Sequence, residues 1–256
     1  MGQQRELPVK TIPILTVIFL FMLVTLPSAA QPPVDPCQSV KDELQQDQAQ
    51  LRDWPQLARY REDNAKLGAP AKDEARVVFL GDSITDFWKL SESFPGKPYV
   101  NRGISGQTTP QMLLRFRQDV IALRPKVVVI LAGTNDIAEN TGPITIEGIE
   151  DNFVSMMELA QKNGIHVVLA SVLPVARYPW RPDIAPVEKI RVLNMWLKEY
   201  AAKSGAEYLD YYSAMADRNS GMKAGLADDG VHPTPAGYAV MAPQAEKAIA
   251  VALSKH

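Results

Sequence analysis

Short apolar runs alternate along the chain with longer segments in which apolar residues recur every three or four positions. The runs lie at about 76–80, 99–101, 127–132, 166–172 and 207–211. Each is short, rich in β-branched or aromatic residues and followed by turn residues, which predicts five strands. Between them, Leu113, Phe116 and Val120 fall on one helical stripe, as do Ile149, Phe153, Met156 and Ala160, and Ile190, Leu193, Leu197 and Ala201. Thr109-Pro110, Thr145 and Thr234-Pro235 supply helix starts, and Gly164 and Gly205 supply helix ends. Continuous apolar character in 127–132 predicts a strand covered on both faces. Strands alternating with helices predict a three-layer α/β fold, a parallel sheet with right-handed crossovers and helices on both faces.

The first 75 residues follow a different pattern. Arg5 and Lys10 precede the apolar stretch 12–26, and Pro27-Ser28-Ala29-Ala30 follows. That order predicts a secretory signal over 1–30, cleaved after Ala30, and an exported chain with no stable membrane insertion once mature. An uncleaved anchor is the alternative. Residues 31–75 read as a proline-rich spacer and a helical extension, in which Pro55 divides two helices or starts the second. Trp54, Leu57, Tyr60 and Leu67 are its candidates for packing against the domain 76–256.

Composition narrows the function more by exclusion than by indication. Apolar residues make up 46% and charged residues 22%, enough for one large core. The formal net charge of −2 offers no basic surface for nucleic acid. One cysteine, Cys37, excludes an internal disulfide framework and a multi-cysteine metal site. No metal-ligand spacing and no phosphate-cradling glycine loop occurs, so neither a metal nor a cofactor is expected.

The candidate chemistry lies where the strands end. Ser83 follows the first strand, Gly106 the second, Asn135 the third, and Asp229 and His232 lie in the loop after the fifth. Parallel strands end on one edge, so these positions share a rim. A serine hydroxyl needs a base to act as a nucleophile. Among three histidines, His256 ends the sequence and His166 opens a buried strand, which leaves His232. Asp229, three residues earlier, can hold the other imidazole nitrogen. The backbone N–H groups of Ser83 and Gly106 and the amide of Asn135 could serve as an oxyanion hole. Taken singly, Asp82 and Ser83 suit a helix cap equally well, and Asp229 a turn.

Four blocks carry a resemblance: Gly81-Asp82-Ser83-Ile84-Thr85, Asn101-Arg102-Gly103-Ile104-Ser105-Gly106, Gly133-Thr134-Asn135-Asp136 and Asp229-Gly230-Val231-His232. In order and separation they are similar to those of the SGNH (GDSL-type) hydrolases, with Ile84 where the family name has leucine. The resemblance implies a flavodoxin-like sheet of order 2-1-3-4-5 and a Ser-His-Asp esterase. It assigns Ser83, Asp229 and His232 to the triad, and Gly106 and Asn135 to the oxyanion hole. Asp86-Phe87-Trp88 and Gln107-Thr108-Thr109 resemble the platelet-activating-factor acetylhydrolase-like and carbohydrate-esterase-like members.

The expected substrate is a small-molecule or carbohydrate ester with a short acyl group, acetyl first. Trp88 and Ile104 are expected on the acyl side, and Tyr178, Trp180, Arg177 and Arg181 on the leaving-group side. A lysophospholipase or thioesterase is the alternative enzyme, and an exported binding domain without turnover the alternative of another class. Oligomeric state stays open.

Overall fold

A computed structural model describes residues 37–255. The expected signal segment 1–30, the spacer up to residue 36 and His256 lie outside the described residues. Two compact units are delimited, Met1–Glu43 and Leu44–His256. Of the first, the described part is residues 37–43, exposed at the start of a helix. That helix, α1, spans Gln38–Arg52, and α2 spans Arg61–Leu67. Pro55 lies in the turns between them, where the Asp53 carboxylate accepts the Leu57 and Ala58 N–H groups at 2.7 and 2.9 Å.

Five strands follow the expected order. They are β1 (Val77–Gly81), β2 (Tyr99–Gly103), β3 (Val127–Leu131), β4 (His166–Ala170) and β5 (Glu207–Leu209). Every pairing is parallel and the spatial order is β2-β1-β3-β4-β5. This is the sheet that the family resemblance implies. Short helices α3 (Ser83–Asp86) and α4 (Leu90–Ser93) separate β1 from β2. The remaining helices are α5 (Thr109–Asp119), α6 (Thr134–Ile137), α7 (Ile146–Lys162), α8 (Pro186–Ser204), α9 (Tyr211–Met215) and α10 (Pro235–Leu253).

Alternation along the strands builds two cores. Val78, Leu80, Val128, Ile130, Val167 and Leu169 face α5, α7 and α8, where they meet Phe116, Phe153 and Leu193. Val77, Phe79, Val127, Val129, Val168 and Ala170 face α10, where they meet Met241, Ala245 and Ile249. Full burial of each large aliphatic side chain contributes about 1.5–3 kcal/mol, which makes these two layers the main source of stability.

Element ends differ from the sequence expectation where a side chain competes for the backbone. β5 stops at Leu209 rather than 211, because Asp210 accepts the Ser213 N–H at 3.0 Å and starts α9. At α5 the cap is Thr108 rather than Thr109. The Gln111 side chain takes the Thr108 N–H at 3.0 Å, while Thr109 is drawn to Asp136.

The extension from residue 44 belongs to the same unit as the sheet. Tyr60 is buried, donates its hydroxyl to the Gly103 carbonyl, and its ring lies 4.6 Å from the Arg102 guanidinium. The side chains of Gln107, Gln111 and Gln118 donate to the backbone carbonyls of Pro55, Trp54 and Leu57 at 2.9, 2.7 and 2.8 Å. Leu67 is partly buried against the core, as expected, whereas Trp54 stays 37% exposed. Among the described residues, no helix is long and apolar enough to cross a membrane.

Candidate active site

The register fixes where the site forms. Gly81 at the end of β1 pairs with Gly103 of β2 on one side and Leu131 of β3 on the other. Ser83, Gly106 and Asn135 therefore leave the sheet from one edge within a few residues of that shared row. Gly81 is needed for space rather than for a left-handed turn. A Cβ there would lie 2.1 Å from the Thr85 hydroxyl and 2.7 Å from the Leu131 carbonyl. Gly106, by contrast, has φ +78°, where L side chains are strained, and its missing side chain faces open space.

Ser83 is the first residue of α3, so its own N–H has no partner inside the helix. Its hydroxyl oxygen stands 2.9 Å from His232 Nε2, and His232 Nδ1 stands 2.6 Å from Asp229 Oδ2. The other Asp229 oxygen accepts the backbone N–H groups of Val231 and His232 at 2.9 and 2.8 Å. One short loop thus both orients the imidazole and ties down the carboxylate that orients it. With Nδ1–H donating to Asp229, Nε2 is left to accept the Ser83 proton. Burial pulls the Asp229 pKa upward. The hydrogen bonds from the His232 ring and from the two backbone N–H groups outweigh this and hold it below the ordinary carboxylate value. The Asp229 side chain remains 43% exposed, so solvent screens its charge.

Asn135 is buried and its amide orientation is determined from both ends. Its Nδ2 donates to the Gln107 carbonyl at 3.0 Å, which can only accept. Its Oδ1 accepts from Asn140 Nδ2 at 2.9 Å, and Asn140 Oδ1 accepts from Trp180 Nε1 at 3.1 Å. An indole N–H can only donate, so the chain of amides runs in one direction. Among the described residues, the second Nδ2 hydrogen of Asn135 has no protein acceptor. Asp136, next in sequence, turns the other way and accepts the N–H and hydroxyl of Thr109 at 3.0 and 2.6 Å, locking the start of α5 to the end of β3.

The expected contact residues divide: Trp88, Ile104 and Tyr178 are buried, whereas Trp180 borders the cleft. Trp88 is buried, donates Nε1–H to Ser93 at 2.8 Å, and packs among Phe79, Phe94 and Tyr238. Its neighbour Phe87 is 56% exposed and sets its ring 5.6 Å from that of His232. Ile104 is buried, with its N–H bonded to the Gly81 carbonyl at 3.0 Å. Tyr178 is fully buried and bonds Thr134 at 2.9 Å, so it supports the Asn135 turn and offers a ligand no surface. Trp180 is 41% exposed, with its ring 6.2 Å from His232. Arg177 is exposed, and Arg181 is spent on Glu139 and Asp183 at 3.4 and 3.0 Å.

Sequence reasoning did not place Phe87 beside His232, or Asn140 and Trp54 on the cleft next to it. Phe87 and Trp88 are adjacent, and which of them turns inward depends on the end of a four-residue helix. Asn140 and Trp54 carry no motif at all. A cleft of about 900 Å³ reaches from Gly106, Asn140 and Trp180 to Trp54 and Arg59 of the extension.

Two carboxyls beneath the rim, Asp82 and Asp136, are buried and have no ion-pair contact among the described residues. Burial pushes Asp82 up to about 7 against the opposing Ile84 N–H bond, and Asp136 up to about 6 against its bonds to Thr109. Asp82 Oδ2 has no hydrogen-bond partner among the described residues. A carboxyl with a raised folded pKa stabilises the fold in its neutral form. That stability is complete below its unfolded value near 4 and is lost as pH rises through about 7. Asp82→Asn, neutral throughout, should gain on the natural chain over this window by on the order of 1–3 kcal/mol. Thermal unfolding at stepped pH reads the gain, and a Tm difference that stays flat with pH contradicts it.

Residues 79–240 match the model of the GDSL-like lipase/acylhydrolase family. The chain is 46% identical to a candidate acylhydrolase of known structure from Bacteroides fragilis. The TM-score is 0.76, over 78% of this chain and 99% of that one. It is 26% identical to an acetylxylan esterase of Xylanibacter ruminicola, over 69% of this chain and 43% of that one. It is 29% identical to platelet-activating factor acetylhydrolase IB subunit alpha2 of Rattus norvegicus, over 65% of this chain and 72% of that one. Against several other curated relatives the chain spans about half of their length or less. With the family match extending over more than half of the sequence, from β1 through the His232 loop into α10, this protein belongs to the GDSL-like lipase/acylhydrolase family.

Proposed function

We propose that the chain is a serine esterase that hydrolyses short acyl esters, acetyl first, through an acyl-enzyme on Ser83. The observation that carries this reading is the hydrogen-bonded series Ser83–His232–Asp229, at 2.9 and 2.6 Å, beside the oriented amide of Asn135. Ser83 Oγ attacks the ester carbonyl while His232 Nε2 takes its proton. The oxyanion accepts hydrogen bonds from Asn135 Nδ2 and the N–H groups of Ser83 and Gly106. As the intermediate collapses, the C–O bond to the alcohol breaks and His232 returns the proton to the leaving oxygen. Water then attacks the acyl-enzyme with His232 again as base, releasing the acid and Ser83. Asp229 fixes the imidazole tautomer and stabilises the imidazolium.

Two observations support a short acyl group. The cleft beside the site carries Asp53, Arg59, Glu139 and Arg181 on its walls, so a long acyl chain there would strip water from charges. Both curated relatives described above are named for removing acetyl groups. An exported location belongs to the same reading and rests on the basic start, the apolar stretch 12–26 and the Ser28-Ala29-Ala30 ending.

Ser83→Ala should fold and lose nearly all turnover of p-nitrophenyl acetate. A folded variant that keeps more than about a tenth of the natural rate removes Ser83 from the nucleophile role, and a natural chain without turnover points to a binding domain. Asn135→Ala should lower kcat by about 10²–10³-fold with a smaller change in KM, because the amide bonds mainly to the developing oxyanion. An unchanged kcat in steady-state assays assigns Asn135 to loop structure alone. Across a series of acyl esters, kcat/KM should fall beyond about four carbons. A steady rise toward decanoyl, at up to about 0.8 kcal/mol per buried methylene, selects the lysophospholipase or thioesterase alternative.

A further inference from the structure

We infer that the extension is part of the substrate site, and that Trp54 and Trp180 border a subsite for the sugar ring of an acetylated, uncharged oligosaccharide. The inference rests on the esterase reading for the reaction but on separate residues for the binding.

The cleft of about 900 Å³ that begins at Gly106 is bordered on its far side by Asp53, Trp54, Gln56, Ala58 and Arg59, outside the segment 79–240 that matches the family model. Two indoles border it, Trp54 at 37% and Trp180 at 41% exposure. The Trp180 ring lies 6.2 Å from that of His232, and Trp54 borders the same cleft. The two indoles suit a ligand that is apolar on its ring faces and polar at its rim. Such a ligand buries C–H surface on the indoles while its hydroxyls reach the polar walls. Ser105, Asn140 and Thr141 supply hydroxyl and amide groups along that wall.

The charged groups on the walls already have partners of their own. Asp53 caps the Leu57 and Ala58 N–H groups, and Arg181 pairs with Glu139 and Asp183. Arg59 lies 3.8 Å from Asp86 and 4.7 Å from the Tyr60 ring centroid. A cleft whose charged groups are already partnered favours a neutral polyhydroxylated ring over a polyanion or a lipid tail.

The wall is also held in place. Gln107 and Gln111, both buried, donate side-chain hydrogen bonds to the Pro55 and Trp54 carbonyls, and Gln118 does the same at Leu57. Such preorganisation lowers the ordering cost of binding. Gln107 serves both ends of the device. Its backbone carbonyl anchors Asn135, and its side chain anchors the segment that carries Trp54.

The test uses the full chain with an acetylated xylo-oligosaccharide and p-nitrophenyl acetate. Trp54→Ala should lower the ratio of kcat/KM for the oligosaccharide to that for the aryl ester by about tenfold or more, with Trp54→Phe restoring most of it. Binding is read apart from turnover, by calorimetric titration of the Ser83→Ala chain with the same oligosaccharide, where adding Trp54→Ala should weaken Kd by a similar factor. If the natural chain hydrolyses neither ester, the esterase reading falls and the titration alone decides the subsite. A ratio and a Kd that both stay within about twofold on loss of Trp54 overturn the inference, as does binding of a decanoyl ester but not the sugar.

Discussion

One buried cation ties the site together. Arg115 has no exposed surface, and its guanidinium donates to the Gly81 carbonyl at 3.0 Å, the Arg102 carbonyl at 2.8 Å, Gln107 Oε1 at 2.6 Å and Asp119 at 3.2 Å. It joins the ends of β1 and β2, the loop before α5 and the end of that helix. Removing one partner of such a buried pair costs about 3–5 kcal/mol, because the other charge is left in a medium that cannot solvate it. The rest of the site hangs from this arrangement. Gln107, held by Arg115, holds Asn135 through its carbonyl and the extension through its amide.

The polar groups around the site therefore form a supported framework rather than a set of separate motifs. Around Asn135 the amides are oriented by neighbours with only one way to bond. Trp180 can only donate, the Gln107 carbonyl can only accept, and between them Asn140 and Asn135 have no freedom to flip. Asp229 is held by two backbone N–H groups before it meets His232. Donors fixed in advance do not have to reorganise as charge develops, which is the condition under which a hydrogen bond lowers a barrier. Tyr238 extends the support to the other layer, since its hydroxyl on α10 bonds the Ile84 carbonyl at 2.8 Å beside Ser83.

Periodicity and motif order made the sheet, its layers and the rim legible in the sequence. Strand apolarity reports burial on both faces, and parallel connection then sends every strand end to one edge, whatever the loops do. That is why Ser83, Gly106, Asn135, Asp229 and His232 could be named together from their positions alone. Within those blocks, cap choice needed the neighbouring element. Thr108 rather than Thr109 caps α5 because Asp136, at the end of β3, claims Thr109.

What only the tertiary structure decided was which side chains face the cleft. Phe87 and Trp88 are both large aromatics in adjacent positions, and the turn leaving α3 sends Trp88 into the aromatic cluster and leaves Phe87 beside His232. Tyr178 and Trp180 lie two residues apart, yet Tyr178 is drawn inward by Thr134 and Trp180 is left at the surface. How the extension is held was equally hidden, because three glutamines bonding to backbone carbonyls leave no trace in the sequence they bind. The chain by itself determined the fold and the chemical groups at its rim, since burial period and strand direction are properties of local sequence. Long-range packing decided the walls of the site, since the direction of a loop side chain is set by whichever distant partner satisfies it.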